Sequence, residues 1–280
     1  MSLTSLTSSS TSICAVDGEV ASVLGVLSGA LSFGATNSTN GVATEKENAM
    51  YIRSYNNNPE IRFLTTEADT TSPKATGFDL FFGFEFEFEC IDQNAHRLKH
   101  ENHAKKIMKD NPNVWVKRDG SLVNGFEVVT MPMTVHWFLE NKDEMTAFFD
   151  YLFDNGYGLA QTGISGEGGA FHVHVSRDFF EDDDHIRRFE SAILAESEQI
   201  IAGGFATVHP YCQVEAYEQV EYPDMFGSYL KNKYVWVRPR EKTVELRMFS
   251  NNWLHTWGGA EGVHSAMKFI IDHIAESYVA

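Results

Sequence analysis

Cysteine is scarce and scattered in this chain. Cys14, Cys90 and Cys212 are its three cysteines, far apart and without a C-x-x-C pair. That argues against a zinc knuckle and against a disulfide framework, and fits a reducing cytoplasm. Long apolar runs are missing: none approaches the roughly 18 residues that a membrane span requires. The N-terminus lacks the basic residues that open a secretory signal. Positive charge is also in deficit. With 22 Lys and Arg against 39 Asp and Glu the formal net charge is -17, which repels nucleic acid and anionic membrane as bulk partners and favours small cations and metal ions. Neither G-x-x-x-x-G-K-[ST] nor a strand-linked G-x-G-x-x-G occurs; GISGEGG, from Gly163 to Gly169, reads as a loop by composition and carries no phosphate-loop signature. No internal repeat is visible.

Residues 1 to 48 are rich in Ser, Thr, Gly and Ala and hold no Lys or Arg before Lys46, the composition of a segment unable to build its own core. They read as a flexible tail or docking segment, and residues 49 to 280 as the main domain. Val20, Val23, Leu24, Leu27 and Leu31 recur at helical spacing, so a short amphipathic helix meeting a protein partner or the main domain is one reading; Gly25 and Gly29 weaken it. The remainder is well supplied for a core, at 43% hydrophobic and 13% aromatic residues over the whole chain.

The chain is organised around FDLFFGFEFEFECID, Phe78 to Asp92. Strict alternation reads as a strand with Phe84, Phe86 and Phe88 on one face and Glu85, Glu87 and Glu89 on the other. Burial of each ring is worth roughly 1.5 to 3 kcal/mol, so the aromatic face goes inward and the glutamates point away. Carboxylates in one row, roughly 7 Å apart, either form a solvated outer face or await a cation, and the stretch itself contains none.

The following segments supply more polar residues on strands. Tyr51 to Phe63 is an irregular lead-in. Asn94 to about Lys109 reads as a helix with His96, His100 and His103 on one side, either metal ligands or, as Lys99, Lys105 and Lys106 suggest, a solvated face. Val114 to Arg118 and Gly125 to Thr130 read as strands around an Asp119-Gly120 turn, and Glu127 is the acid within an apolar run. Thr134 caps a predicted helix to Asn155, stopped by Gly156. In FHVHVS, His172 and His174 share one strand face, as a ligand pair or as a hydrogen-bonded polar pair. Asp182 to Ile201 is a predicted helix. Lys231, Lys233, Arg238, Arg240, Lys242 and Arg247 then crowd one basic stretch with strands at Tyr234 to Val237 and Thr243 to Phe249, where Glu245 and Arg247 share a face. Trp257 to Ser277 reads as a closing helix. The polar faces together offer Glu85, Glu87, Glu89, Glu127, His172, His174, Glu245 and Arg247, a set suited to Mg²⁺ or Mn²⁺ and to an anion.

GFEFEFE, VKRDGSLVNGFEVVTMP, FHVHVSR and KYVWVRPREKTVELRMF, in this order, resemble the motifs of the phage-type amidoligases, members of the carboxylate-amine ligase superfamily with a glutamine-synthetase-like fold. The resemblance spans about Tyr51 to Phe249. It implies that Glu85, Glu87, Glu127 and Glu245 are metal ligands with His172 or His174 nearby, and that Arg247 contacts phosphate. It further implies that Asp119 binds or deprotonates an amine, against the plain reading of a turn acid. Arg238, Arg240, Lys242, Arg247 and His174 become the ATP contacts, with Asp119, Arg247 and His172 as the catalytic set. The chain departs from the family at Gly169-Ala170, Lys233, Arg238-Pro239-Arg240 and Ser250. The implied partners are a small-molecule or peptide carboxylate and an amine, with host cytoplasm as the location for a phage protein.

The expected fold is α+β: a curved, mainly antiparallel, glutamine-synthetase-like sheet with a polar concave active-site face and helices on the other face. The expected chemistry is ATP- and Mg²⁺-dependent amide formation through an acyl phosphate. The alternatives are a metal-dependent hydrolase or nuclease using His172 or His174 as a base, and a catalytically inactive binding or structural homologue.

Overall fold

The structure is a computed structural model that describes residues 60–71, 79–91, 97–118, 122, 125–160, 171–203, 214 and 235–279. Residues 1–48, most of the lead-in from Tyr51, His96, Asp119 and its turn, Gly163 to Gly169, most of the stretch from Gly203 to Ser228, Lys231, Lys233 and Tyr234 lie outside them.

The Phe/Glu stretch forms β1 (Phe82–Cys90), and its burial alternates as its sequence does. Phe82, Phe84, Phe86 and Phe88 are fully buried. β1 is the shared strand of an antiparallel sheet. On one side it pairs β3 (Gly125–Thr130), which pairs β2 (Val114–Lys117). On the other it pairs β4 (Tyr157–Leu159) through Phe88 to Cys90 and β5 (Phe171–Ser176) through Phe82 to Phe86. β5 leads to β7 (Thr243–Leu246) and then to β6 (Val237–Pro239), giving the order β2-β3-β1-β5-β7-β6.

This is a mixed α/β fold on an open, uncurled sheet, and it corrects the expectation of a curved, glutamine-synthetase-like sheet with a concave face. The ladder ends at β2 and β6, strands of four and three residues, which do not meet, whereas closure demands strand tilt and stagger carried around a full circuit. Period-2 alternation decides which way each side chain points and leaves curvature undetermined, so the sequence did not constrain this feature.

The core lies on the Phe side of the sheet. Phe86 stacks on Phe171 at a centroid distance of 5.3 Å and meets Phe149 edge-on at 5.2 Å. Phe149 belongs to the helical run opened by Thr134, whose hydroxyl accepts from Trp137 N at 3.2 Å. That run is two helices, α3 (Val135–Glu140) and α4 (Lys142–Asp154), because Asn141 leaves helical geometry at φ -114°. The preceding α1 (Glu67–Thr71) is fastened to it: Asp69 accepts from Thr66 N and Thr134 Oγ1, each at 2.7 Å, and meets His136 Nδ1 at 2.8 Å.

Helix α2 (Arg97–Asp110) corrects another expectation. His100 is buried and its Nδ1 lies 2.8 Å from the Tyr157 hydroxyl; His103 Nδ1 lies 2.9 Å from the same oxygen. His100 is buried and His103 half-buried, so the pair is not a fully solvated helix face. They satisfy a buried phenol on β4, a strand too short to signal itself. The remaining helices are α5 (Asp183–Ala195), α6 (Ser197–Ala202), α7 (Asn251–Trp257) and α8 (Ala260–Val279). The turn from α7 to α8 is made by Gly258 and Gly259 at φ +79° and +52°, a left-handed conformation that glycine adopts without strain.

Candidate metal centre

Opposite the aromatic core, cross-strand pairing assembles the charged residues. Glu85 on β1 faces His172 on β5, and His174 faces Glu245 on β7, which faces Arg238 on β6. On the other flank, Glu87 faces Glu127 on β3, which faces Lys117 on β2. Residues from six strands therefore meet because the register places them there, each held by the apolar alternation of its own strand.

Glu85 is the central acid. Its Oε2 lies 3.2 Å from His172 Nδ1, and its Oε1 lies 3.4 Å from His174 Nε2 and 3.5 Å from Lys117 Nζ. Burial opposes its ionisation, yet His174, His172 and Lys117 together hold its carboxyl well below the usual range. Glu127 has the opposite fate. Burial and the Glu85 charge push it up to about 9 against the opposing pull of Lys117, which lies 3.1 Å away. The glutamate row thus does not raise all its carboxyls by mutual repulsion, because at Glu85 the β5 histidines, with a smaller contribution from Lys117, outweigh burial.

Glu245 is almost wholly inaccessible at 1% exposure. Its Oε1 accepts from Arg247 Nη1 at 2.8 Å, and its Oε2 lies 2.5 Å from Arg240 Nε and 3.4 Å from Arg238 Nη1. Burial penalises this charge, but His174, Arg247, His172 and Arg240 overcome the penalty and bring its pKa down to about 2.

One ligand atom each from Glu85, His172 and Glu245 lies within 4.8 Å of the other two, so the cluster can hold a metal ion. The donor chemistry fits: two carboxylates and an imidazole suit a divalent ion that accepts oxygen and nitrogen. A second observation agrees. His174 Nε2 is buried and makes no hydrogen bond, its approach to Glu85 being poorly aligned, so a polar nitrogen borders the cluster with coordination or proton-transfer capacity unspent. Charge decides what else enters. Around the cluster stand four carboxylates (Glu85, Glu87, Glu127, Glu245) and four cations (Lys117, Arg238, Arg240, Arg247), so the carboxylates are already matched in number before any ion binds. A divalent ion is therefore best accommodated together with an anion.

Among the residues singled out from sequence, Glu85, Glu127, His172, His174, Glu245, Arg238, Arg240 and Arg247 are brought together. Glu87 stands beside them on the same face, across from Glu127, but its carboxylate is not part of the three-residue cluster. Lys242 is not drawn in: its side chain is 82% exposed, with Nζ 3.9 Å from Glu241. Asp119 lies outside the described residues. Sequence reading missed Lys117 and Thr243, whose hydroxyl lies 3.2 Å from His174 Nδ1. The available signal was alternation in VWVK beyond the turn from Glu127. Its use required the register of the β2–β3 pair.

No protein-family model matches the chain, and no curated protein matches it.

Proposed function

We propose that the chain is a divalent-metal-dependent enzyme acting on a phosphate-bearing anion, with hydrolysis as the reaction that its described residues support best. The observation carrying this reading is the Glu85, His172 and Glu245 cluster beside three arginines. Those three cluster residues would hold the ion. A bound divalent ion would polarise a phosphoryl oxygen and make water more acidic. The rest falls to the protein. Arg238, Arg240 and Arg247, preorganised on Glu245, receive the anion and stabilise charge developing on it. In the tautomer whose Nδ1–H donates to Thr243 Oγ1, His174 has Nε2 available to take a proton from an attacking water, and Glu85 beside it offsets the positive charge that results. The bulk charge of -17 favours a small molecule over a nucleic acid as substrate.

ATP-dependent carboxylate-amine ligation is the second reading. It is favoured by the order of the four motifs resembling those of amidoligases, from which Glu85, Glu127, His172, His174, Arg238, Arg240, Glu245 and Arg247 lie together. The two readings separate in one assay. The full chain with Mg²⁺ or Mn²⁺ is offered phosphomonoesters, inorganic tripolyphosphate and nucleotides, with and without a carboxylate and amine library. Hydrolysis predicts phosphate release without an amine, abolished by chelator and reduced at least a hundredfold in Glu85→Gln. Ligation predicts release only when both library components are present. Release that survives both chelator and Glu85→Gln would contradict the metal-dependent reading.

A further inference from the structure

The described chain begins with an extended segment that alternates. Arg62, Leu64 and Thr66 turn toward the domain: Arg62 Nη2 donates to Pro112 O at 2.6 Å, Leu64 packs on the core while its N donates to Pro132 O at 2.9 Å, and Thr66 Oγ1 meets Asp69 at 3.1 Å. Ile61 and Phe63 are the alternate residues. They turn outward, 53% and 61% exposed. The Phe63 ring meets that of Phe81, half-buried just before β1, edge-on at a centroid distance of 4.7 Å. A single open apolar side chain is ordinary, but Ile61, Phe63 and Phe81 on adjoining segments form one apolar surface.

The size of that surface limits what can cover it. The exposed parts of these three side chains come to on the order of 300 Å², since a whole large aromatic side chain offers roughly 150 to 250 Å². A stable complex between separate proteins takes about 800 Å² from each partner. A second copy or another protein held here alone is therefore bound poorly. A segment of the same chain is under no such demand, because a tether supplies an effective concentration of millimolar order. The tether exists: residues 1–59 precede the described chain and join it at Glu60, next to Ile61.

Residues 1–59 lie outside the described residues, and within them Val20 to Leu31 is the stretch whose chemistry suits the surface. It reads VASVLGVLSGAL and holds no charged residue, so it approaches a protein of net charge -17 without repulsion. At helical spacing Val20, Val23, Leu24, Leu27 and Leu31 fall on one stripe, with Ser22, Gly25 and Gly29 opposite. Two glycines disfavour such a helix by itself, and packing of its apolar stripe is the stabilisation it lacks. We propose that residues 20–31 dock by this stripe on Ile61, Phe63 and Phe81. Residues 32–59 are ample chain for the return, at up to about 3.3 Å per residue. By strand alternation Phe81, Gly83 and Glu85 share a face, so the docked segment lies beside the face that bears the metal centre. The docking is independent of the reaction proposed there.

Amide hydrogen exchange of the full chain, read by mass spectrometry on the peptide containing residues 20–31, tests this. In wild type that peptide is expected to exchange at least tenfold more slowly than the same peptide free in solution, and equally so after tenfold dilution of the protein. Phe63→Ser should abolish the protection. Ile91→Ser should keep it, because Ile91 is 73% exposed but follows β1 at the end opposite Phe81. Melting temperatures check that the variants fold; should Phe63→Ser not fold, Ile61→Ser, also outward, carries the same prediction. Exchange as fast as in the free peptide overturns the docking. So does protection that survives both Phe63→Ser and Ile61→Ser, which seats the segment elsewhere, or that is lost equally in Ile91→Ser. Protection that fades on dilution makes the occupant a second copy and likewise overturns it.

Discussion

Glu127 sits between two opposing neighbours, the Glu85 carboxylate that repels its charge and the Lys117 ammonium that attracts it. Burial and Glu85 prevail, and its pKa rises to about 9. A folded pKa above the unfolded one means that stability is fully present below the ordinary carboxyl value, near 4.5, and is lost as pH rises from there through about 9. Glutamine keeps the shape of the protonated acid. Glu127→Gln in chelator is therefore expected to lie within about 1 kcal/mol of wild type at acidic pH, and to be the more stable protein above pH 9, with a flatter stability profile between. Denaturant unfolding across this range checks it; a profile as steep as that of wild type would place the titration elsewhere. Glu245 shows the opposite logic: its charge is already matched by three guanidiniums, and its stabilising contribution disappears only as pH falls from 4.5 through about 2.

At the scale of elements, β1 decides the arrangement, and its contact with β3 has little tolerance. A Cβ on Gly125 would lie 2.0 Å from Phe88 O, so the strands approach closely where Gly125 faces Glu89. Gly125→Ala must shift the β1–β3 ladder and with it the pairing of Glu127 to Glu87; a loss of about 2 kcal/mol or more is expected, read by thermal or denaturant melting. Unchanged stability would mean that the two strands have room to separate. Much of this element structure was legible. Alternation gave β1, β3 and β5 and assigned each glutamate and histidine to a face, since a period of two has one solution once the phenylalanines are inside. The breaks at Asn141 and Glu196 were not legible, because helical periodicity runs through both. Nor was β4, three residues long, and with it the buried phenol that claims His100 and His103. Curvature was overestimated because nothing in a single strand's pattern encodes it.

For the whole molecule, the excess of acid is a property of its surface, and the centre on the sheet runs against it by gathering Lys117 with Arg238, Arg240 and Arg247. That segregation was legible in part: the basic run from Lys231 to Arg247 stands out in an acidic chain, whereas the partnership of its arginines with one glutamate depends on β6 and β7 pairing beside β5. Among the described residues no helix is long and apolar enough to cross a membrane. The central claim, that Glu85, His172 and Glu245 from three strands form one divalent-ion centre, is tested most directly by Mn²⁺ binding with pulsed electron paramagnetic resonance. The account predicts one saturable ion per chain, with a nitrogen coupling that disappears in His172→Gln and an affinity reduced at least tenfold in Glu85→Gln. Binding without nitrogen coupling, or an affinity that Glu85→Gln leaves unchanged, would contradict it.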